Sequence, residues 1–196
     1  MNSRKRTIII IAILLGSMLI SLIVNLTITL VQKSSYPTKY EEFVSTYASE
    51  YNVPEYIIYA VINTESGFDA NTKSSAGALG LMQMIPNTFK FLASDKHLNE
   101  EDAEFSDLAD PETAIRYGTY YLRYLFDKFH KWNVVFAAYN AGEGQVSEWL
   151  DDFRYSTDGE TLKRIPLNET KKYVKKVTKA VNYYKNTYYR NGVSVK

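Results

Sequence analysis

The chain of 196 residues contains 23 Lys and Arg, 22 Asp and Glu, and no Cys. Four of the basic residues and none of the acidic residues lie within residues 1–35, so the remainder carries a net charge of −3. That balance argues against nucleic acid as a partner. The lack of Cys excludes disulfides, thiolate metal sites and a Cys nucleophile, and two His, His97 and His130, argue against a histidine-rich metal site.

A long apolar segment directly follows three basic residues at positions 4–6. Residues 7–32 contain no charged residue and are rich in Ile and Leu, and about 20 apolar residues suffice to span a membrane. The segment is longer than the apolar region of a signal peptide and no small-residue cleavage site follows it, which favours an uncleaved anchor over a signal peptide. A buried core helix is disfavoured because the segment is apolar all round and lies at the terminus. The positive-inside rule then places the N-terminus in the cytoplasm. We predict a cytoplasmic tail at 1–6, a transmembrane anchor at 7–32 and a linker at 33–39.

Residues 40–196 show helical periodicity through most of their length, which predicts one compact, predominantly α domain. Asp110, Asn133 and Asn168 are predicted N-caps of three of its helices. A segment rich in small residues, 69–80, interrupts the pattern and predicts a loop or a short irregular hairpin. We predict helices at 40–51, 54–65, from 86, 110–130, 134–141 and from 168.

Two groups of side chains on the predicted helices are interpreted as structural. Five lysines on the last helix, at positions 171, 172, 175, 176 and 179, are interpreted as a solvated face. Five aromatic residues crowd the helix that follows Asp110, and most of them are interpreted as packing residues: Tyr117, Tyr120, Tyr121, Tyr124 and Phe126.

Glu65 is the acidic residue whose position indicates chemistry. It closes the apolar stripe of the helix at 54–65, and no Lys or Arg within one helical turn could pair with it. An exposed or loop-pairing acid is the structural alternative. Burial of a carboxyl group costs free energy and raises its pKa, and a raised pKa suits a general acid near neutral pH.

The residues after Glu65 are suited to a neutral polar ligand. Gly77 and Gly80 let the backbone approach a ligand closely, and Ser74 and Gln83 offer uncharged hydrogen-bonding groups. These residue types favour a sugar over a phosphate. The residues alone therefore indicate an acid catalyst in a cleft that binds sugars.

Three blocks of residues, in this order, resemble the soluble-type lytic transglycosylases, a family with the lysozyme-like fold. Together they lie within residues 55–180. The first block contains Glu65-Ser66, Ser74 and the run Gly77-Ala78-Leu79-Gly80-Leu81-Met82-Gln83, with Pro86 just after it. The second is Ala137-Ala138-Tyr139-Asn140-Ala141-Gly142, and the third is Ile165-Pro166-Leu167-Asn168-Glu169-Thr170, followed by Tyr173-Val174.

The resemblance implies an α+β lysozyme-like catalytic domain at 40–196 that cleaves the β-1,4 bond between N-acetylmuramic acid and N-acetylglucosamine in peptidoglycan. It implies that Glu65 is the single catalytic acid and base, and that no metal or cofactor takes part. Members of the family often have Met where this chain has Ile85. Both side chains are apolar, so the expected wall of the site stays apolar. By motif position, the substrate-binding residues are Ser74, Gln83, Tyr139, Asn140 and Glu169.

Most glycosidases use two carboxylates, and no second one stands out here. Only the tertiary fold could bring another acid near Glu65, and the acids considered are Asp69, Asp107, Glu143 and Glu169. The single acid fits the mechanism that the resemblance implies, in which one acid acts without a partner and the substrate's own C6 hydroxyl group forms a 1,6-anhydro sugar.

Three alternatives stay open. A goose-type lysozyme would hydrolyse the same bond with water, and a membrane-anchored scaffold would bind peptidoglycan without cleaving it. An assembly factor would cleave the wall locally for an envelope or secretion machine. The expected location is the bacterial cell membrane, with a single span and the catalytic domain outside the cytoplasm.

Overall fold

The computed structural model describes residues 3–94, 96–190 and 193–194. Their contacts divide the chain into two units, 1–37 and 38–196. The first unit is the helix α1 (Ser3–Ser35), whose part from Ile8 to Ser35 is long and apolar enough to cross a membrane. This helix extends into the segment that sequence analysis assigned to the linker.

The second unit is predominantly α-helical, as predicted. Its described residues form seven α-helices, a 3-10 helix at Phe105–Ala109 and two antiparallel strands, β1 (Tyr189–Arg190) and β2 (Val193–Ser194). Sequence analysis did not predict this terminal hairpin. The helices are α2 (Glu41–Tyr51), α3 (Glu55–Glu65), α4 (Pro86–Ala93), α5 (Pro111–Phe129), α6 (Trp132–Ala141), α7 (Glu143–Asp151) and α8 (Asn168–Tyr188).

Helix α3 lies at the centre of the second unit. It packs mainly against α8, while α6 packs against both α5 and α8. Residues 57–62 of α3 are at most 1% exposed. Each large apolar side chain buried in this way contributes roughly 1.5–3 kcal/mol to folding, so the core fixes the direction of α3 and the place where it ends.

The predicted N-caps had different outcomes. Asp110 caps α5, because its carboxylate accepts a hydrogen bond from the Thr113 backbone nitrogen at 2.9 Å. The prediction for Asn133 was wrong: α6 begins at Trp132, so Asn133 is already helical, and its side chain accepts a hydrogen bond from Thr178 instead. The prediction for Asn168 was also wrong, because the residue is already helical and no side chain caps α8.

The segment 66–85, between α3 and α4, is the irregular insert of the domain. Isolated antiparallel bridges join Lys73 to Leu79 and Leu79 to Met84, which confirms the predicted short irregular hairpin. Gly80 has a φ of +80°, and a Cβ atom placed there would lie 2.1 Å from the carbonyl oxygen of Leu108 in the 3-10 helix. The insert can approach the 3-10 helix this closely only because residue 80 has no side chain.

Replacement of Gly80 by Ala should therefore destabilise the second unit. Gly77→Ala is a matched control, because Gly77 has the same φ of +80° but no atom within 4 Å of its would-be Cβ. Overpacking typically costs about 1–3 kcal/mol, so Gly80→Ala should lower the free energy of unfolding by about that much more than Gly77→Ala. Chemical denaturation of the two full-length variants measures the difference, and equal losses would contradict the close approach.

Candidate active site

Glu65 is the last residue of α3, and its carboxyl group is largely buried. Burial raises the pKa of Glu65 from 4.5 to about 7; a hydrogen bond from Tyr173 and the positive charge of Lys176 oppose the increase. Desolvation is the largest of these effects because it disfavours the charged form. The structure therefore holds a carboxyl group that is partly protonated at neutral pH.

Two side chains of α8 support the end of α3. The Tyr173 hydroxyl group donates a hydrogen bond to Oε1 of Glu65 at 2.6 Å, and Lys176 Nζ donates to the carbonyl oxygen of Thr64 at 2.7 Å. A cation at the C-terminal end of a helix satisfies an unpaired carbonyl group and complements the helix dipole. These contacts fix the carboxyl group in position.

The roles of Tyr173 and Lys176 were missed by sequence analysis. Tyr173 was part of the third block but was given no role. Lys176 was assigned to a solvated lysine face and is indeed exposed, but its terminal amine also binds the end of α3, which the sequence did not indicate. The spacing of Tyr173 and Glu169, four residues apart on one face of α8, was the available signal.

The insert forms one wall of the site and is tied to α3 through Ser66. The Ser66 hydroxyl group donates to the Leu81 carbonyl oxygen at 2.8 Å. The Gln83 side-chain nitrogen donates to the carbonyl oxygens of Thr72 and Gly80, both at 2.9 Å. The amide of Gln83 therefore holds the insert together from inside.

Tyr139 connects the opposite wall to the insert. Its hydroxyl group donates to the Met82 carbonyl oxygen at 2.8 Å, and its ring packs against Tyr121 at a centroid distance of 5.3 Å. Burial and the nearby Glu65 charge raise the pKa of Tyr139 well above its usual value. The hydroxyl group therefore stays neutral and structural.

A cleft of about 340 Å³ opens over Glu65. Both polar and apolar residues line it, which suits a sugar with hydroxyl and acetamido groups. All six residues predicted for the site line this cleft: Glu65, Ser74, Gln83, Tyr139, Asn140 and Glu169. Eight others complete the lining: Ala76, Ala78, Met84, Ile85, Thr88, Tyr121, Ala141 and Gly142.

Among the described residues, the carboxylates that line the cleft are those of Glu65 and Glu169. The other three carboxylates considered from the sequence have structural contacts. Asp69 accepts from the Asn71 backbone, Asp107 accepts from the Glu104 backbone, and Glu143 pairs with Lys128 at 2.8 Å. If a second carboxylate acts beside Glu65 in the cleft, it is therefore that of Glu169. Glu169 is exposed at the first turn of α8.

The burial of Glu65 lowers the stability of the fold at high pH. A group with a higher pKa in the folded state binds a proton more tightly there, so the stability that Glu65 contributes is fully present below the unfolded pKa of 4.5 and is lost as the pH rises through the folded pKa of about 7. At about 1.4 kcal/mol for each pKa unit, the loss amounts to up to about 3 kcal/mol. A carboxyl group with a purely structural role would not need to be buried at this cost in folding stability.

The sequence is similar to those of known proteins. The family model described as the transglycosylase SLT domain matches residues 42–161. The soluble lytic murein transglycosylase of Escherichia coli (strain K12) is 35% identical over 153 residues, which cover 76% of this chain and 23% of that protein. Membrane-bound lytic murein transglycosylase C of Haemophilus ducreyi is 27% identical over 168 residues, covering 76% of this chain and 46% of that protein.

The fold is also similar to that of a solved relative. The crystal structure of the 70 kDa soluble lytic transglycosylase from Escherichia coli matches with a TM-score of 0.69 at 30% identity, covering 79% of this chain and 25% of that chain. The chain thus spans about a quarter of the length of the soluble relatives. By the family model and by its helical, lysozyme-like fold, this chain belongs to the transglycosylase SLT domain family.

Proposed function

We propose that this chain is a membrane-anchored lytic transglycosylase that cleaves the β-1,4 bond between N-acetylmuramic acid and N-acetylglucosamine in peptidoglycan. The observation that carries the proposal is Glu65, a buried carboxyl group with a pKa of about 7 at the base of a polar cleft. The relatives named lytic murein transglycosylases support the same reaction.

The first chemical step uses Glu65 as a general acid. Its proton passes to the glycosidic oxygen, and the bond from that oxygen to C1 of the muramyl residue breaks. A general acid works best when its pKa lies near the operating pH, and the burial of Glu65 supports this match. The acetamido group of the same sugar stabilises the positive charge that develops at C1.

The second step uses the ionised Glu65 as a general base. It accepts the proton of the C6 hydroxyl group of the muramyl residue while that oxygen bonds to C1, which gives a 1,6-anhydro end without consuming water. The nucleophile belongs to the substrate, so its reaction has the advantage of an intramolecular step. Lys176 and the hydroxyl group of Tyr173 favour the ionised form of Glu65 at this stage.

The remaining cleft residues position the sugars. Ser74, Asn140 and Glu169 offer hydrogen bonds along the cleft, and Tyr139 offers an apolar ring. Because the nitrogen of Gln83 is engaged with the backbone, its carbonyl oxygen is the group that we assign to the substrate. None of these roles requires a metal or a cofactor.

We assign residues 7–32 to a membrane anchor, 33–39 to a linker and 40–196 to the catalytic domain. The apolar helix α1 and the similarity to a membrane-bound relative support the anchor. The basic residues at positions 4–6 favour a cytoplasmic N-terminus. With this topology the catalytic domain lies on the side of the membrane where the cell wall is found.

A lysozyme of the goose type is the second candidate, because Glu169 shares the cleft with Glu65. In that mechanism Glu169 would activate a water molecule, and the product would have a reducing end. The two reactions differ by one water in the mass of the product, which allows a direct test.

Digestion of purified peptidoglycan by the full-length chain in detergent should release products with 1,6-anhydro ends, lighter by one water than reducing ends in the mass spectrum. Glu65→Gln should lower turnover by roughly 10²–10⁴-fold, because the proton donor is lost. Glu169→Gln should still give anhydro ends.

Reducing ends that disappear in Glu169→Gln would establish the lysozyme, and a folded protein that binds the wall but releases no product would establish the scaffold.

Removal of the positive charge of Lys176 should shift the pH dependence of the reaction. Lys176 lowers the pKa of Glu65, so Lys176→Met should raise that pKa and move the alkaline decline of kcat/KM to higher pH. Lys179→Met is the matched control, since Lys179 is exposed on the same helix and has no resolved effect on Glu65. An unshifted profile in Lys176→Met, or an equal shift in both variants, would contradict this electrostatic role.

A further inference from the structure

Ring contacts lead from the cleft to the outer surface of the domain. Tyr121 lines the cleft and stacks on Tyr124 with a centroid distance of 6.2 Å and an interplanar angle of 13°. Tyr124 in turn contacts Phe91 at 5.3 Å and His97 at 5.5 Å. His97 then meets Tyr120 at 6.0 Å. The contacts are continuous from the cleft outward.

We name the outer four of these residues the aromatic platform: Phe91, His97, Tyr120 and Tyr124. Phe91 is 39% exposed, and the other three are partly exposed. Sequence analysis interpreted most of the aromatic residues of α5 as packing residues, and the fully buried Tyr117 fits that interpretation. Tyr120 and Tyr124 instead combine internal contacts with surface accessible to solvent.

Helix α4 places the platform beside the cleft. Thr88 lines the cleft, and Phe91, three residues later, lies on the same face of the helix. A shallow depression of about 580 Å³ lies next to Phe91 and is lined by Asn87, Lys90, Ser94 and Lys96. An aromatic surface with amide, hydroxyl and ammonium groups at its edge can bind the apolar face of a sugar ring and its polar substituents together.

The platform is held in place before any ligand binds. The Tyr124 hydroxyl group lies 3.1 Å from Glu143 Oε2, and Nδ1 of His97 lies 3.2 Å from the Tyr120 hydroxyl group. The rings of Phe91 and His97 pack at 4.2 Å. Rings that are already fixed lose little conformational freedom on binding, so more of the contact energy is available for affinity.

We propose that the aromatic platform binds sugar rings of the glycan strand that extend beyond the cleft. This inference rests on the proposed function, because it takes peptidoglycan as the substrate. Continuity with the cleft through Tyr121 and Thr88 selects the glycan as the occupant, since a polymer held over Glu65 must continue past one end of the cleft. Lys90 and Lys96, which line the depression, can pair with the lactyl carboxylates of muramyl residues that carry no stem peptide.

The test compares strand lengths in full-length protein that carries Glu65→Gln, so that bound strands are not cleaved. Peptide-free glycan strands, either long or trimmed to a tetrasaccharide, are titrated by calorimetry in detergent. Phe91→Ala should weaken the binding of long strands by about three- to tenfold and leave the tetrasaccharide unchanged. Phe153→Ala is the matched control, because Phe153 is 79% exposed on the same domain and lies outside the platform.

Three results would contradict sugar binding by the aromatic platform. Phe91→Ala could leave the affinity for long strands unchanged, or it could weaken the binding of long strands and of the tetrasaccharide equally. Phe153→Ala could also weaken the binding of long strands as much as Phe91→Ala does. The proposed function is assessed separately from the anhydro products of the wild-type protein. The titration measures binding and does not depend on turnover. It can therefore contradict sugar binding by the aromatic platform while the anhydro products still support lytic transglycosylation. It can equally support sugar binding by the platform if no anhydro products are found.

Discussion

The carboxyl group of Glu65 is buried at the end of a core helix, and the rest of the site depends on that position. Helix α3 is almost completely enclosed from Ile57 to Ile62, so its end cannot move toward solvent without disrupting the core. The pKa of Glu65 rises to about 7 for the same reason. A single feature, the burial of α3, thus provides both a fixed location and a proton held near neutral pH.

Distant parts of the chain converge on this carboxyl group, and each is tied to the next by a partly buried hydrogen bond. Helix α8 contributes Tyr173, the insert is attached through Ser66, and α6 reaches the insert through Tyr139. Gly80 permits the insert to lie against the 3-10 helix. The domain therefore resists rearrangement of the cleft, which is the preorganisation that electrostatic catalysis needs.

Much of the fold follows from the sequence, because the helices have strong apolar periodicity and Pro or Asp marks several of their starts. The cleft residues could be found because they lie in short blocks with distinctive residue types. The contacts of Lys176 could not, since spacing along α8 does not reveal that its amine meets the end of α3. Asn133 was misassigned because its side chain contacts Thr178 on another helix, and the strands of the terminal hairpin are too short to show a periodicity.

The most direct test of this account is the pKa of Glu65 itself. Infrared difference spectra between the wild-type chain and Glu65→Gln isolate the C=O stretch of the protonated Glu65 carboxyl group, which can be followed as the pH is raised. We expect this band to disappear with a midpoint near pH 7, because burial raises the pKa of Glu65. A midpoint near the ordinary value of 4.5 would contradict it, because Glu65 would then have no proton to donate at neutral pH.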